Sequence, residues 1–84
     1  MSRIRRIRCE SIREGVIPTE RVVRLQTLDG NTEEVVVFKG QARNDALDVA
    51  ALEVMEDRAL IELPRETASG SWRLWVPSNL LIAD

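Results

Sequence analysis

The chain has 84 residues, enough for one small domain, and we interpret residues 1–84 as a single unit. Apolar residues make up 44% and charged residues 31%, and the net charge of −2 excludes a polycation. Histidine and tyrosine are absent and one cysteine is present, so the usual catalytic triads, the commonest metal ligand and an internal disulfide are excluded.

The N-terminal segment is basic, although the chain as a whole is slightly acidic. Five arginines fall within the first 13 residues: Arg3, Arg5, Arg6, Arg8 and Arg13. Within residues 3–14, apolar or small side chains alternate with charged ones from Arg6 to Ser11, which favours a β-strand with one basic face. A helical stripe through Ile4 and Ile7 is the alternative interpretation of the same segment.

The clearest element is a β-hairpin over residues 20–39. Two runs rich in β-branched residues flank Asp29-Gly30-Asn31, the kind of sequence that forms a tight turn. A turn centred on Gly30-Asn31 gathers four large apolar residues on one face: Val23, Leu25, Val36 and Phe38. A turn centred on Asp29-Gly30 instead places Leu25 opposite Glu34. We therefore adopt the Gly30-Asn31 register.

Residues 44–57 carry the only helical pattern in the chain. Their apolar residues recur at the spacing of one helix face: Leu47, Ala50, Ala51, Val54 and Met55. Asn44 is suited to cap such a helix, so a short helix near 45–56 is our interpretation. The alternative is a strand that contains Leu47 and Val49 and ends at a turn over Glu56-Asp57.

A second hairpin is predicted from residues 58–67 and 71–76, joined through Ser69-Gly70. Both runs are rich in residues that favour strands, and the glycine supplies the turn. Pairing around this turn sets Glu66 against Arg73, an opposite-charge pair between neighbouring strands.

Trp75 has an informative place in this second hairpin. Pro64 cannot donate a hydrogen bond to a neighbouring strand, which favours a position at the edge of the sheet. Trp75 then lies on the polar face of an edge hairpin. The opposite, apolar face carries five residues: Ile61, Leu63, Trp72, Leu74 and Val76.

The string WVPSNLL, residues 75–81, is similar to the end of SH3 domains, in which an apolar residue and Pro-Ser-Asn lead into the last strand. The resemblance covers about seven residues and implies a small β-barrel. The aromatic N-terminal motif with which those domains hold proline-rich peptides is missing, so their peptide-binding function is not carried over.

Together these elements predict a mainly β domain. We expect a small antiparallel barrel or a strongly bent sheet of about five or six strands, SH3-like or similar, with the short helix packed across it. An α+β fold is the alternative. The predicted core consists of apolar residues from the two hairpins: Val23, Leu25, Val36, Phe38, Ile61, Leu63, Trp72, Leu74 and Val76.

No catalytic, cofactor or metal site is predicted, and we interpret the chain as a protein without enzymatic activity. Cys9 has no histidine to activate it, and its alternation with arginines is more typical of a small core residue. The sequence holds no phosphate-binding loop, dinucleotide fingerprint or nucleophile elbow. The acidic residues of 45–57 lack the spacing of a calcium loop and are interpreted as a solvated face.

The sequence favours a binding or structural module that acts through protein contacts or self-association. Trp and Arg are frequent interface anchors, so Trp75, Arg73 and Glu66 are the candidate protein contacts. The alternative is a small nucleic-acid-binding β-barrel that contacts phosphates through the N-terminal arginines: Arg3, Arg5, Arg6, Arg8 and Arg13.

No apolar run reaches the roughly 18 residues that cross a bilayer, so no membrane partner is expected. The free cysteine and the lack of an export signal favour the cytoplasm.

Overall fold

The computed structural model describes residues 4–82 and confirms the mainly β class. Within that range it holds nine strands and two 3₁₀ helices, Lys39–Gln41 and Ser78–Leu80, and no α-helix. The strands are β1 Ile4–Arg8, β2 Ser11–Glu14, β3 Glu20–Gln26, β4 Thr32–Phe38, β5 Ala42–Arg43, β6 Ala46–Val54, β7 Arg58–Glu62, β8 Arg73–Pro77 and β9 Leu81–Ile82. None of the helical segments in residues 4–82 is long and apolar enough to span a membrane.

The strands form two antiparallel sheets. The larger has the order β8-β7-β6-β1-β9, with β5 also paired to β6, and the smaller has the order β2-β3-β4. The mainly β, antiparallel prediction is confirmed, but neither sheet closes into a barrel, and residues 4–82 hold nine strands in two sheets where five or six strands were expected. At the C-terminal end, β8 passes through the second 3₁₀ helix into β9.

The N-terminal segment is a strand that belongs to both sheets. The main-chain nitrogen of Glu10 donates to the carbonyl oxygen of Arg24 at 2.9 Å, while Ser11 is the register partner of the same residue. Two consecutive residues thus oppose one, which is a β-bulge, and a bulge bends a strand sharply. The bend carries the chain from β1 in the larger sheet to β2 in the smaller sheet. The strand interpretation of this segment is therefore confirmed.

The β3–β4 hairpin is present, but both predicted registers are wrong. Val23 lies opposite Val35, because the loop contains three residues and not two. Its hydrogen bonds run from the nitrogen of Thr27 to the oxygen of Asn31 at 2.9 Å and from the nitrogen of Gly30 to the oxygen of Thr27 at 3.1 Å. Gly30 has a φ of +86°, as expected for a type I turn followed by a left-handed residue.

The longer loop changes which side of β4 faces the core. Val35 and Val37 are fully buried, whereas Val36 is 38% and Phe38 is 53% exposed. The prediction that Val36 and Phe38 belong to the core is therefore wrong: the partner of Val23 moved by three positions, from Phe38 to Val35, and a shift by an odd number of residues turns every side chain to the opposite face.

Within residues 44–57, Ala46–Val54 forms the strand β6 and not the predicted helix. Asn44 and Asp45 have φ angles of 54° and 61°, so they make the two-residue turn of a hairpin between β5 and β6. The predicted helix cap is the first residue of this turn. Leu47 and Val49 then point into the core while Asp48 between them does not. The alternative interpretation is confirmed, including the turn over Glu56-Asp57, which the bond from the nitrogen of Met55 to the oxygen of Arg58 closes at 2.8 Å.

The β7–β8 hairpin lies at the edge of the larger sheet, as predicted, but its register differs. Arg73 pairs with Glu62 and not with Glu66, and its Nε donates to the Glu62 carboxylate at 3.0 Å. The predicted pairing is wrong because the chain leaves the larger sheet beyond the bond from the nitrogen of Leu63 to the oxygen of Trp72, at 2.8 Å. Thr67 forms a β-bridge with Val35 of the smaller sheet. We call residues 63–72 the crossing loop.

The core lies between the two sheets and is aliphatic. Its largest fully buried side chains are Ile7, Leu25, Leu47, Ile61, Val23, Val35, Val37, Val49 and Val76. Leu63 and Leu74 are also buried, as predicted. Trp72 is 50% exposed, so its assignment to the core is wrong. The strand β8 begins only at Arg73, and the alternation that buries Leu74 and Val76 does not extend back to Trp72.

We expect Gly30→Ala to lower the free energy of unfolding by about 1 kcal/mol, because a side chain in the left-handed region is strained by about 1 to 2 kcal/mol. The site has open space for an added Cβ, so the cost is conformational. Gly40→Ala is the matched control, since Gly40 has equally open surroundings and no positive φ. Urea denaturation measures both variants. Equal losses in the two would contradict the assigned turn.

Candidate functional site

All three aromatic residues of the chain lie at the surface of the domain. Phe38 is 53%, Trp72 is 50% and Trp75 is 38% exposed, while the core is built from aliphatic side chains. Aromatic side chains normally supply much of the buried apolar area of a small domain. Their position here leaves large apolar rings in contact with water, and such rings are typical anchors of protein interfaces.

Trp75 lies in an open cleft between the edge of the larger sheet and the β3–β4 loop. The cleft has a volume of about 520 Å³ and is lined by Thr27, Leu28, Asp29, Asn31, Glu33, Arg58, Arg73, Leu74 and Trp75. We call it the Trp75 cleft. The strand β8 holds Trp75 opposite Leu60, and the nitrogen of Leu28 donates to the oxygen of Trp75 at 2.8 Å. The main chain at Trp75 is therefore held by hydrogen-bonded partners on both sides of its strand.

The acidic residues of the cleft come from the smaller sheet. The Asp29 carboxylate accepts hydrogen bonds from the Thr27 hydroxyl and from Asn31, and these bonds hold the pKa of Asp29 below its ordinary value. Glu33 accepts a hydrogen bond from the Ser69 hydroxyl at 2.8 Å, which connects this wall to the crossing loop. Both carboxylates therefore already accept hydrogen bonds from neighbouring residues before a partner binds.

The basic residues of the cleft come from the larger sheet. The Arg58 guanidinium pairs with Asp57 at 3.1 Å, and Arg73 pairs with Glu62 at 3.0 Å. Neither carboxylate is among the cleft-lining residues. The cleft therefore has arginines on one side, carboxylates on the other and an apolar surface from Trp75 between them. Among residues 4–82, no cluster of Cys, Asp and Glu is arranged to hold a metal ion.

The three predicted protein contacts do not form one group. Arg73 and Trp75 both line the Trp75 cleft. Glu66 instead lies in the crossing loop and lines a different groove, next to Trp72. The structure separates them because Glu66 is not the strand partner of Arg73.

The groove beside Trp72 was missed by the sequence reasoning. It has a volume of about 450 Å³ and is lined by Val22, Glu34, Val36, Arg65, Glu66, Thr67, Ala68 and Trp72. The Arg65 guanidinium lies 4.7 Å from the centre of the Phe38 ring, a cation–π contact beside the groove. A signal was available in β4, whose run of Val35, Val36, Val37 and Phe38 is apolar on both faces and not on one.

The predicted nucleic-acid contacts are spread over different parts of the surface. Arg3 lies outside the described residues. Arg5 and Arg6 are half-buried in β1, which lies between β6 and β9, and successive side chains of a strand point to opposite faces. Arg6 lies 3.8 Å from Asp48, and Arg8 is exposed on the same strand.

Arg13 belongs to the smaller sheet and is already paired. Its guanidinium lies 3.3 Å from Glu34, which also accepts from Arg24 at 3.0 Å. These bonds, first from Arg13 and then from Arg24, hold the pKa of Glu34 below its ordinary value. Phosphate binding by Arg13 would have to compete with this carboxylate.

We expect Glu34→Gln to lower the urea midpoint at neutral pH and to have a smaller effect near about pH 3. The reason is that a carboxylate with a lowered pKa stabilises the fold above its ordinary range, and this stabilisation is lost as the pH falls through the folded-state pKa. Urea titrations of both proteins at the two pH values measure the difference. The same difference at both values would show that the ion pairs do not contribute.

Cys9 lies beside the core, near the bend between β1 and β2. Burial, with a smaller contribution from the Asp45 charge, raises the pKa of its thiol from 9.0 to about 12, despite the opposing effect of Arg6. The thiolate is the reactive form, so this environment is typical of a structural cysteine.

We expect the alkylation of Cys9 by iodoacetamide at about pH 8 to be about a thousandfold slower in the folded protein than for an ordinary thiol, because so little thiolate is present. The same protein in denaturing urea is the control and should react at the ordinary rate. Rapid labelling of the folded protein would contradict the burial of the thiol.

The chain has no significant match among protein-family models, curated proteins or solved structures. A functional proposal for it therefore rests on the residues of the Trp75 cleft and of the groove beside Trp72.

Proposed function

We propose that this chain is a non-catalytic protein-binding module and that the Trp75 cleft is its contact surface. The observation that carries the proposal is Trp75 itself, 38% exposed at the edge of the larger sheet and next to the Arg73 guanidinium. Trp and Arg are the side chains that most often dominate the binding energy of a protein interface.

The main chain on both sides of the cleft is hydrogen-bonded, which favours binding. Trp75 and Arg73 lie on a strand that is hydrogen-bonded to β7, and the facing loop is closed by its own turn and joined to the oxygen of Trp75. A surface that is already ordered loses little conformational entropy when a partner binds. An exposed indole on a flexible loop would not have this advantage.

The mode of binding that fits the cleft is insertion of a side chain. The sequence also suggested that an exposed edge strand could pair with a strand of the partner. At Trp75 the main-chain oxygen already accepts from Leu28, so the edge of β8 is occupied at its centre. We expect the partner to place an apolar side chain on the indole. Its basic residues would then face Asp29 and Glu33, and its acidic residues would face Arg58 and Arg73.

The non-catalytic part of the proposal is supported by composition. Without histidine or tyrosine, a general base would have to come from carboxylates, Lys39 or Cys9, and a serine or threonine nucleophile would lack its usual histidine partner. The cleft contains Asp29 with a lowered pKa, which makes it a poor general base or acid near neutral pH. A cytoplasmic location belongs to the same proposal, since a single free thiol is typical of proteins in reducing compartments.

The test is the selection of a random peptide library displayed on phage against the immobilised domain. We expect enriched peptides that share an apolar residue with charged neighbours and that lose at least about tenfold in affinity for Trp75→Ala, the loss typical of an anchor residue. Met55→Ala is the matched control, because Met55 is also exposed but lies in neither groove. Circular dichroism verifies that both variants are folded.

Two outcomes would contradict the proposal. Peptides that bind Trp75→Ala and the original protein equally would show that the cleft is not the contact surface. Loss of the folded state in Trp75→Ala, with Arg73→Ala still folded and still binding, would show that the indole is structural. Binding of a labelled random oligonucleotide that disappears between about 50 and 200 mM salt would favour the nucleic-acid alternative instead.

A further inference from the structure

We propose that two copies of this chain associate through a second surface, which we call the Trp72 face. It consists of the outer side of the smaller sheet, with Val36 and Phe38 from β4, and of Arg65, Glu66 and Trp72 from the crossing loop. This surface is separate from the Trp75 cleft, so the inference does not depend on the proposed function.

The centre of the Trp72 face is apolar. Val22 lies opposite Val36, on the side of the smaller sheet that faces away from the core, and Phe38 follows on the same side. Trp72 completes the groove beside them and is half exposed. Together these rings and branched side chains expose on the order of 300 Å² of apolar surface, comparable to the largest patches on monomeric proteins. A protein interface has such an apolar centre surrounded by polar residues.

The charges around this centre are self-complementary. Arg65 and Glu66 are adjacent in the crossing loop, and among residues 4–82 neither forms an ion pair. Arg65 contacts the Phe38 ring, and Glu66 is exposed. The other carboxylate of the groove, Glu34, is already neutralised by Arg13 and Arg24. Arg65 and Glu66 are therefore two charges of opposite sign, side by side in the crossing loop, that no ion pair of the described residues uses.

In a dimer with a two-fold axis, both charges of each copy form an ion pair. In an isologous dimer, residue i meets residue j and residue j meets residue i, so Arg65 of one copy faces Glu66 of the second copy and the same pair forms again across the axis. Two adjacent opposite charges would partly repel any partner of a single sign. This arrangement favours a second copy of the chain as the partner that binds the Trp72 face.

The size of the domain agrees with a dimer. A stable interface buries about 800 Å² on each partner, so the apolar centre would supply roughly a third of it and the polar residues around it the rest. A domain of 84 residues buries a small fraction of its surface compared with larger proteins, and association would add to its stability.

The experiment is sedimentation velocity on the whole chain from about 1 µM to about 1 mM, the range in which weak homodimers form. We expect the 9.5 kDa monomer to convert to a species of twice that mass as the concentration rises. Trp72→Ala should abolish the dimer over this range. Met55→Ala is the matched control and should dimerise as the original protein does, because Met55 is also exposed but does not line the groove beside Trp72.

A charge exchange tests the two-fold pairing directly. We expect Arg65→Glu and Glu66→Arg, each alone, to weaken the dimer at least about tenfold, because like charges then face each other across the axis. The double variant should restore the dissociation constant to within about threefold of the original, since the pairs form again in reverse. Both positions are in a loop outside the strands, so circular dichroism should remain unchanged and provides the folding control.

Several results would overturn the inference. A chain that stays monomeric up to about 1 mM has no such dimer. A dimer that survives both Trp72→Ala and the single charge variants uses another surface. If Trp72→Ala does not fold, the charge variants decide: failure of the double variant to recover would refute the pairing of Arg65 with Glu66 and with it the proposed interface.

Discussion

The bulge opposite Arg24 is the feature on which the rest of the fold depends. It lets one continuous segment serve as β1 in the larger sheet and as β2 in the smaller sheet. Because the segment bends there, the two sheets face each other and enclose an aliphatic core. Without the bend, Ile7 and Ile12 would lie in one flat sheet and could not both pack against that core.

Two similar turns join the sheets on the opposite side. In Thr27–Asn31 and in Thr67–Ser71, the first nitrogen donates to the last oxygen, and a glycine of positive φ donates back to the threonine. These threonines are the buried polar residues of the described part of the chain, and each hydroxyl is hydrogen-bonded. The first turn bonds to β8, and the second lies against β4. The same two turns border the two grooves.

An aliphatic core leaves the aromatic residues free for the surface. Valine, leucine and isoleucine side chains from both sheets fill the interior, so neither tryptophan nor Phe38 is needed there. The crossing loop then separates the tryptophans, with Trp75 in the cleft and Trp72 on the face of the smaller sheet. Two residues only three positions apart therefore face different surroundings and are assigned to different contacts. Arg13 is paired with Glu34, which also pairs with Arg24, so the Arg13 guanidinium is not free to bind a partner.

The sequence by itself determined the β class, the two hairpins and the burial of Val23, Leu25, Ile61 and Val76, because β-branched alternation and turn residues are local signals. It also predicted that Trp75 and Arg73 would lie at a sheet edge. Only the tertiary structure decided the registers, since one extra loop residue moved Val36 and Phe38 outward. The tertiary structure also decided that Ala46–Val54 is a strand, because β1 and β7 supply hydrogen-bond partners on both of its sides. The periodic pattern of apolar residues in the sequence cannot reveal these partners. The tertiary structure also placed the crossing loop against the other sheet, and that non-local contact set Glu66 beside Trp72 in a groove that Arg73 does not line.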